Sequence, residues 1–201
     1  MSNYIIEDGT GNGNKAGVDG DNRILTSAVT ETFIDHEAKH GSSYNFNTGA
    51  PFDIGANNSS AVLFFKNTDQ TYDLVIASFI YNLGIAAGGL TDGSEYTNIV
   101  VVRNPTSISS STDIVPVNRN HGSTNLLNGT FSKGAAAATF VGGTDMIETL
   151  IAGVTGGRNV ISLGALVLKP QNSIGIRYEA HTSTTQQYVQ FAASMYLDKD
   201  N

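Results

Sequence analysis

With 201 residues, of which 40% are apolar and 14% charged, the chain can bury one substantial core and is neither a disordered polyampholyte nor a coiled coil. Its 18 acidic against 11 basic residues leave a formal charge of −7, which argues against a phosphate-binding face and so against nucleic acid as a partner. Cysteine is absent, which excludes a disulfide framework and thiol chemistry; no apolar run approaches the roughly 18 residues of a helical membrane span, so no membrane partner is expected.

Met1-Ser2-Asn3-Tyr4 lacks the basic-then-apolar order of a signal peptide, so the expectation is an intracellular product, or one that leaves its cell by lysis. Residues 1–22 are rich in Gly and Asn, as in Gly9-Thr10-Gly11-Asn12-Gly13-Asn14, and carry one early apolar cluster, Tyr4-Ile5-Ile6. Such a tract cannot offset its ordering entropy by its own contacts. It is expected to be an extended arm that orders only against something else, with Tyr4, Ile5 and Ile6 as its partner-binding end. Residues 23–201 are expected to form the folded domain.

From Arg23 onward, short apolar clusters alternate with turn residues. Small polar residues dominate, with 22 Gly, 19 Asn, 20 Thr and 18 Ser, a mixture that suits short strands and tight turns. Residues 61–66, 73–83, 96–103 and 160–169 are apolar enough for central strands of a packed sandwich. Residues 113–118 and 144–152 are weaker strand candidates, and 146–151 would equally fit a short helical turn. In 173–181, Ile174, Ile176, Tyr178 and Ala180 should point inward, with Arg177 and Glu179 outward. In 188–197, Val189, Phe191, Ala193, Met195 and Leu197 fall on one face, and Gln190, Ala192, Ser194 and Tyr196 on the other. A period of two marks a half-buried antiparallel strand. Asn67-Thr68-Asp69, Asp92-Gly93-Ser94, Asn104-Pro105, Asn128-Gly129 and Lys169-Pro170-Gln171-Asn172 read as turns. Eight or more strands at this spacing predict an all-β, antiparallel two-sheet β-sandwich, jelly-roll-like, preceded by the arm.

One stretch has the letters of a zinc enzyme. His36-Glu37-Ala38-Lys39-His40 matches H-E-x-x-H, in which a helix sets two imidazoles one turn apart around a metal and the glutamate polarises its water. Here Gly41-Ser42-Ser43 follows at once, so any helix should stop where the enzyme needs it to continue. A third ligand would have to come from Asp53 or Glu95, neither on a recognisable second helix. The expectation is no metal, no cofactor and no catalytic residue, with 36–40 a polar strand end or a surface turn of helix. Gly11–17 lacks the Lys-Ser/Thr ending of a phosphate loop, and Asp19-Gly20-Asp21-Asn22 offers too few oxygens for a calcium loop. Asn57-Asn58-Ser59, Asn58-Ser59-Ser60 and Asn128-Gly129-Thr130 match glycosylation sequons, which matter only after secretion.

Several segments occur in a telling order: "GTGNGNKAGVDGDNRILTSAVTET", "HGSSYNFNTG", "SSAVLFFKNTDQTYDLVI", "NIVVVRNPT" and "NRNHGSTNLLNGTFSKG". This succession, from about Gly9 to Gly134, resembles β-sandwich virion structural proteins of tailed bacteriophages, of the capsid decoration (cement) or head-fibre type. The resemblance implies a jelly-roll-like fold and no enzymatic activity. It further implies threefold clusters (a homotrimer) on the major capsid protein, hence a place on the virion surface after synthesis in the host cytoplasm. The alternative is a receptor- or carbohydrate-binding module of a phage fibre or tail, which Tyr81, Tyr96 or Tyr188 gathered on an exposed concavity would favour.

Overall fold

The computed structural model describes residues 17–18, 24–25, 32–55, 59–85, 96–152, 157–161, 166–180 and 187–199. The chain divides into two compact units, Met1–Thr32 and Phe33–Asn201. In the first, β1 (Gly17–Val18) pairs antiparallel with β2 (Ile24–Leu25). Tyr4, Ile5 and Ile6 lie outside the described residues.

The second unit opens with α1 (Phe33–Lys39) and continues in strands. They are β3 (Ser43–Asn47), β4 (Phe52–Gly55), β5 (Ser59–Asn67), β6 (Asp73–Ile85), β7 (Tyr96–Arg103), β8 (Ser107–Ile108), β9 (Ser111–Asp113) and β10 (Val117–Asn118). There follow β11 (Gly129–Gly134), β12 (Phe140–Val141), β13 (Thr144–Ala152), β14 (Gly157–Ile161), β15 (Leu166–Leu168), β16 (Ser173–Ala180) and β17 (Gln187–Asp198). One sheet has the order β10-β3-β17-β6-β14, with β15 also on β6 and β4 also on β17. The other has the order β13-β7-β16-β5-β11-β9, and β12 pairs with β8 apart from both. All these pairings are antiparallel.

The connectivity is that of a jelly roll. Take β3, β5, β6, β7, β13, β14 with β15, β16 and β17 as successive strands. The first, eighth, third and sixth lie side by side in one sheet, and the second, seventh, fourth and fifth in the other. The fold is thus the all-β, antiparallel two-sheet sandwich that strand spacing predicted.

The core lies between the sheets. On β17, Val189, Phe191, Ala193, Met195 and Leu197 are all buried, and the residues between them are only half-buried, as the period of two requires. Ile174, Ile176 and Tyr178 of β16 are buried likewise. Phe65 of β5 links the layers: its ring meets Phe46 of β3 edge-on at 4.8 Å and stacks on Phe79 of β6 at 6.0 Å, both in the opposite sheet, with Phe131 of β11 at 5.6 Å. β5 is buried on both faces from Ser60 to Phe65, because 135–140 folds over its outer side and Ala61 N–H donates to the Ala138 carbonyl. The Phe140 ring covers Gly175 of β16 so closely that a Cβ there would collide with it.

Some expected strands are divided. Residues 113–118 are not one strand: β9 belongs to one sheet and β10 to the other, and Ile114-Val115-Pro116 carries the chain between them. Proline cannot donate to a ladder, so the break falls beside Pro116. The 160–169 candidate is two strands, β14 and β15, both on β6. Residues 146–151 are strand within β13, not a helical turn, with a β-bulge between Asp145 and Ile147 that leaves Met146 unpaired.

Candidate functional site

The H-E-x-x-H letters do fall on a helix, α1, but a seven-residue one. It ends in a Schellman motif: the Ser42 N–H donates to the Glu37 carbonyl at 2.7 Å, the Gly41 N–H to Ala38 at 3.1 Å, and Gly41 has φ of +69°. Only glycine takes that left-handed conformation without strain, so Gly41 stops the helix where the sequence indicated. His36 and His40 are exposed, one turn apart, with ring centroids 4.7 Å from each other. Glu37, between them in sequence, is buried at 4% exposed. It packs toward β17, where burial first, and then the charges of Asp198 and Glu37, push the Tyr196 phenol up. Asp53 sits on β4, Glu95 lies outside the described residues, and no group of three metal-ligating side chains occurs among the described residues.

What α1 does organise is the 114–127 loop. Asn118 and Asn125 side-chain amides donate to the Gly41 carbonyl at 2.9 and 3.2 Å, and Asn120 donates to the Lys39 carbonyl at 3.2 Å. These carbonyls end a helix and have no intrahelical partner, so the asparagines satisfy groups that would otherwise need water. The Arg119 N–H donates to the Ser43 carbonyl at 2.8 Å, and its guanidinium lies 3.8 Å from Asp35. The Asn118 side-chain Oδ1 accepts from the Asn120 N–H at 2.9 Å, which closes an Asx turn. Ile114 and Leu127 pack against the core, and three other apolar side chains of the loop turn outward: Val115 is 75%, Val117 69% and Leu126 77% exposed. Val117 and Leu126 flank a depression of about 350 Å³ that also contains His121. Three bulky apolar side chains thus stand open to solvent on a loop whose backbone is tied to the helix end. Composition had marked 113–118 only as a weak strand. The usable signal was Val115-Pro116-Val117 and Leu126-Leu127 set in a stretch of Asn, Ser and Gly.

The remaining sequence-named residues scatter. Tyr81 is 3% exposed and packs against Phe191 at 6.2 Å, Tyr188 is half-buried on β17, and the side chain of Tyr96 falls outside the described residues. Tyr81 is therefore a core residue and no sugar platform. Residues 11–16, 19–22 and His181 lie outside the described residues, as do Asn57 and Asn58. Asn128 is exposed, and its amide donates to the Asp69 carboxylate at 3.2 Å.

In comparisons with known proteins, no family model, no curated protein and no solved structure matches this chain.

Proposed function

We propose that the protein is a non-enzymatic structural component of a virus particle. In this reading it is a decoration, or cement, protein of the tailed-bacteriophage kind, which binds the outer face of the major capsid protein shell as a homotrimer and stabilises it. The observation that carries the reading is the 114–127 loop, whose Val115, Val117 and Leu126 face solvent from a backbone fixed to α1 by three asparagines. Because the loop is already ordered, docking would cost little conformational entropy. The resemblance of residues 9–134 to such virion proteins points the same way.

The test is cosedimentation with purified shells that lack the protein, comparing wild type with a Val117→Asp, Leu126→Asp variant. Both positions are exposed, so the far-UV β spectrum should not change. Wild type should pellet with shells, and the variant should bind at least about tenfold more weakly, as expected when apolar anchors of an interface are lost. Failure of the wild type to pellet overturns the function; equal pelleting of both proteins overturns the choice of surface.

A further inference from the structure

The jelly-roll order leaves β13 at the edge of one sheet and β14 with β15 at the edge of the other, on the same side of the sandwich. Neither edge has a further strand among the described residues, so ladder donors and acceptors face outward there. A groove of about 390 Å³ opens near them, lined by Arg103, Met146, Leu166, Val167, Lys169 and Ile174 among others. It shares Arg103 and Met146 with a second hollow of about 600 Å³ that continues along the start of β13. Ile174 is buried beneath it, and Leu166 packs against the core. Met146, 46% exposed, and Val167, 52% exposed, are apolar side chains open to solvent on its lining. Met146 reaches this position because the β13 bulge takes it out of the pairing register.

The charges at the groove are unequal. Lys169 is held by Asp73 at 2.6 Å, and the Asp145 carboxylate by two Arg177 nitrogens at 3.0 and 2.7 Å. Arg103 is exposed and has no ion pair or hydrogen bond to its side chain among the described residues. Apolar lining beside an arginine with no acidic partner among the described residues suits a short extended segment in which apolar residues are followed by acids. The chain carries that order once near its start, in Tyr4-Ile5-Ile6-Glu7-Asp8, followed by the Gly- and Asn-rich residues 9–16.

Building on the homotrimer reading above, we propose that this edge groove receives residues 4–8 of a second copy of the chain. The segment adds as a strand to the open edge, sets an isoleucine beside Met146 and Val167, and brings Glu7 and Asp8 to Arg103. Strand addition supplies backbone hydrogen bonds, while the apolar-then-acidic order supplies the selectivity.

The chain has no cysteine, so introduced thiols report one contact at a time. Full-length Ile6→Cys protein is mixed with Val167→Cys protein and oxidised. The control replaces the second chain with Val115→Cys, a position more exposed than Val167. The disulfide-linked heterodimer should exceed the control at least about tenfold, the mark of raised effective concentration. Adding Arg103→Glu to the Val167→Cys chain should lower the yield, and Glu7→Lys with Asp8→Lys on the other chain should restore it. A yield equal to the control overturns the proposal, as does a bond that forms only within a chain carrying both cysteines. Shell pelleting is scored separately: wild type that pellets without the cross-link keeps the shell reading and sinks the groove, and the reverse sinks only the shell reading.

Discussion

Phe65 shows most directly what one side chain does for this fold. Its ring lies between Phe46 and Phe79 of the facing sheet and next to Phe131 of its own, so truncation removes contacts on three sides. Phe65→Ala should destabilise the sandwich by about 3–5 kcal/mol in urea unfolding, the sum of lost burial and a cavity; a loss below about 1 kcal/mol would contradict the account. Asp69, in the turn between β5 and β6, accepts hydrogen bonds from the N–H groups of Tyr72 at 2.9 Å and Thr71 at 2.8 Å, and from Asn128. These bonds, the one from Tyr72 foremost, hold its carboxyl below the ordinary aspartate value. A depressed folded value means that its stabilisation is complete above the unfolded value of about 3.9 and is lost as pH falls through the folded one. Asp69→Asn should therefore flatten the decline of melting temperature in the acid range below about pH 4. An unchanged slope would show that Asp69 is not among the groups that set the acid limit.

At the scale of elements, Gly175 gives the sharpest forecast. Its bare Cα on β16 accommodates the Phe140 ring, so Gly175→Ala should cost roughly 1–3 kcal/mol through displacement of that ring. Combining it with Phe140→Ala should make the two changes less than additive, and strict additivity would mean that the ring is not what the glycine admits. The sequence made β16 and β17 legible because their apolar residues recur every second position on strands with one face in the core. β3 was not foreseen: Ser43-Tyr44-Asn45-Phe46-Asn47 has only two apolar letters, and asparagine is depleted in strands. Yet Tyr44 and Phe46 are both buried, because β17 and β10 flank β3 and supply the burial that propensity does not. The edge groove was invisible for a different reason: strand order and a bulge bring 103, 146 and 167 together across sequence distances that no local pattern spans. The Gly41 helix stop, by contrast, is a local matter and was readable.

At the scale of the whole molecule, the proposed contacts are the 114–127 loop on the shell and the N-terminal segment on a neighbouring copy, both carried by the jelly roll. Since Phe33–Asn201 is a compact unit containing both sheets, deletion of residues 1–22 should leave the far-UV β spectrum of the sandwich intact. It should also lower the trimer fraction in mass photometry, and a truncated protein that stays fully trimeric would remove the arm from assembly. The central claim, that the protein decorates a shell, is met most directly by cryo-electron microscopy of the particle that incorporates it. The account predicts density for the two-sheet sandwich on the outer shell surface, in threefold clusters, with the 114–127 loop against the coat protein. Density confined to a tail or fibre, or a particle from which the chain is absent, would contradict it.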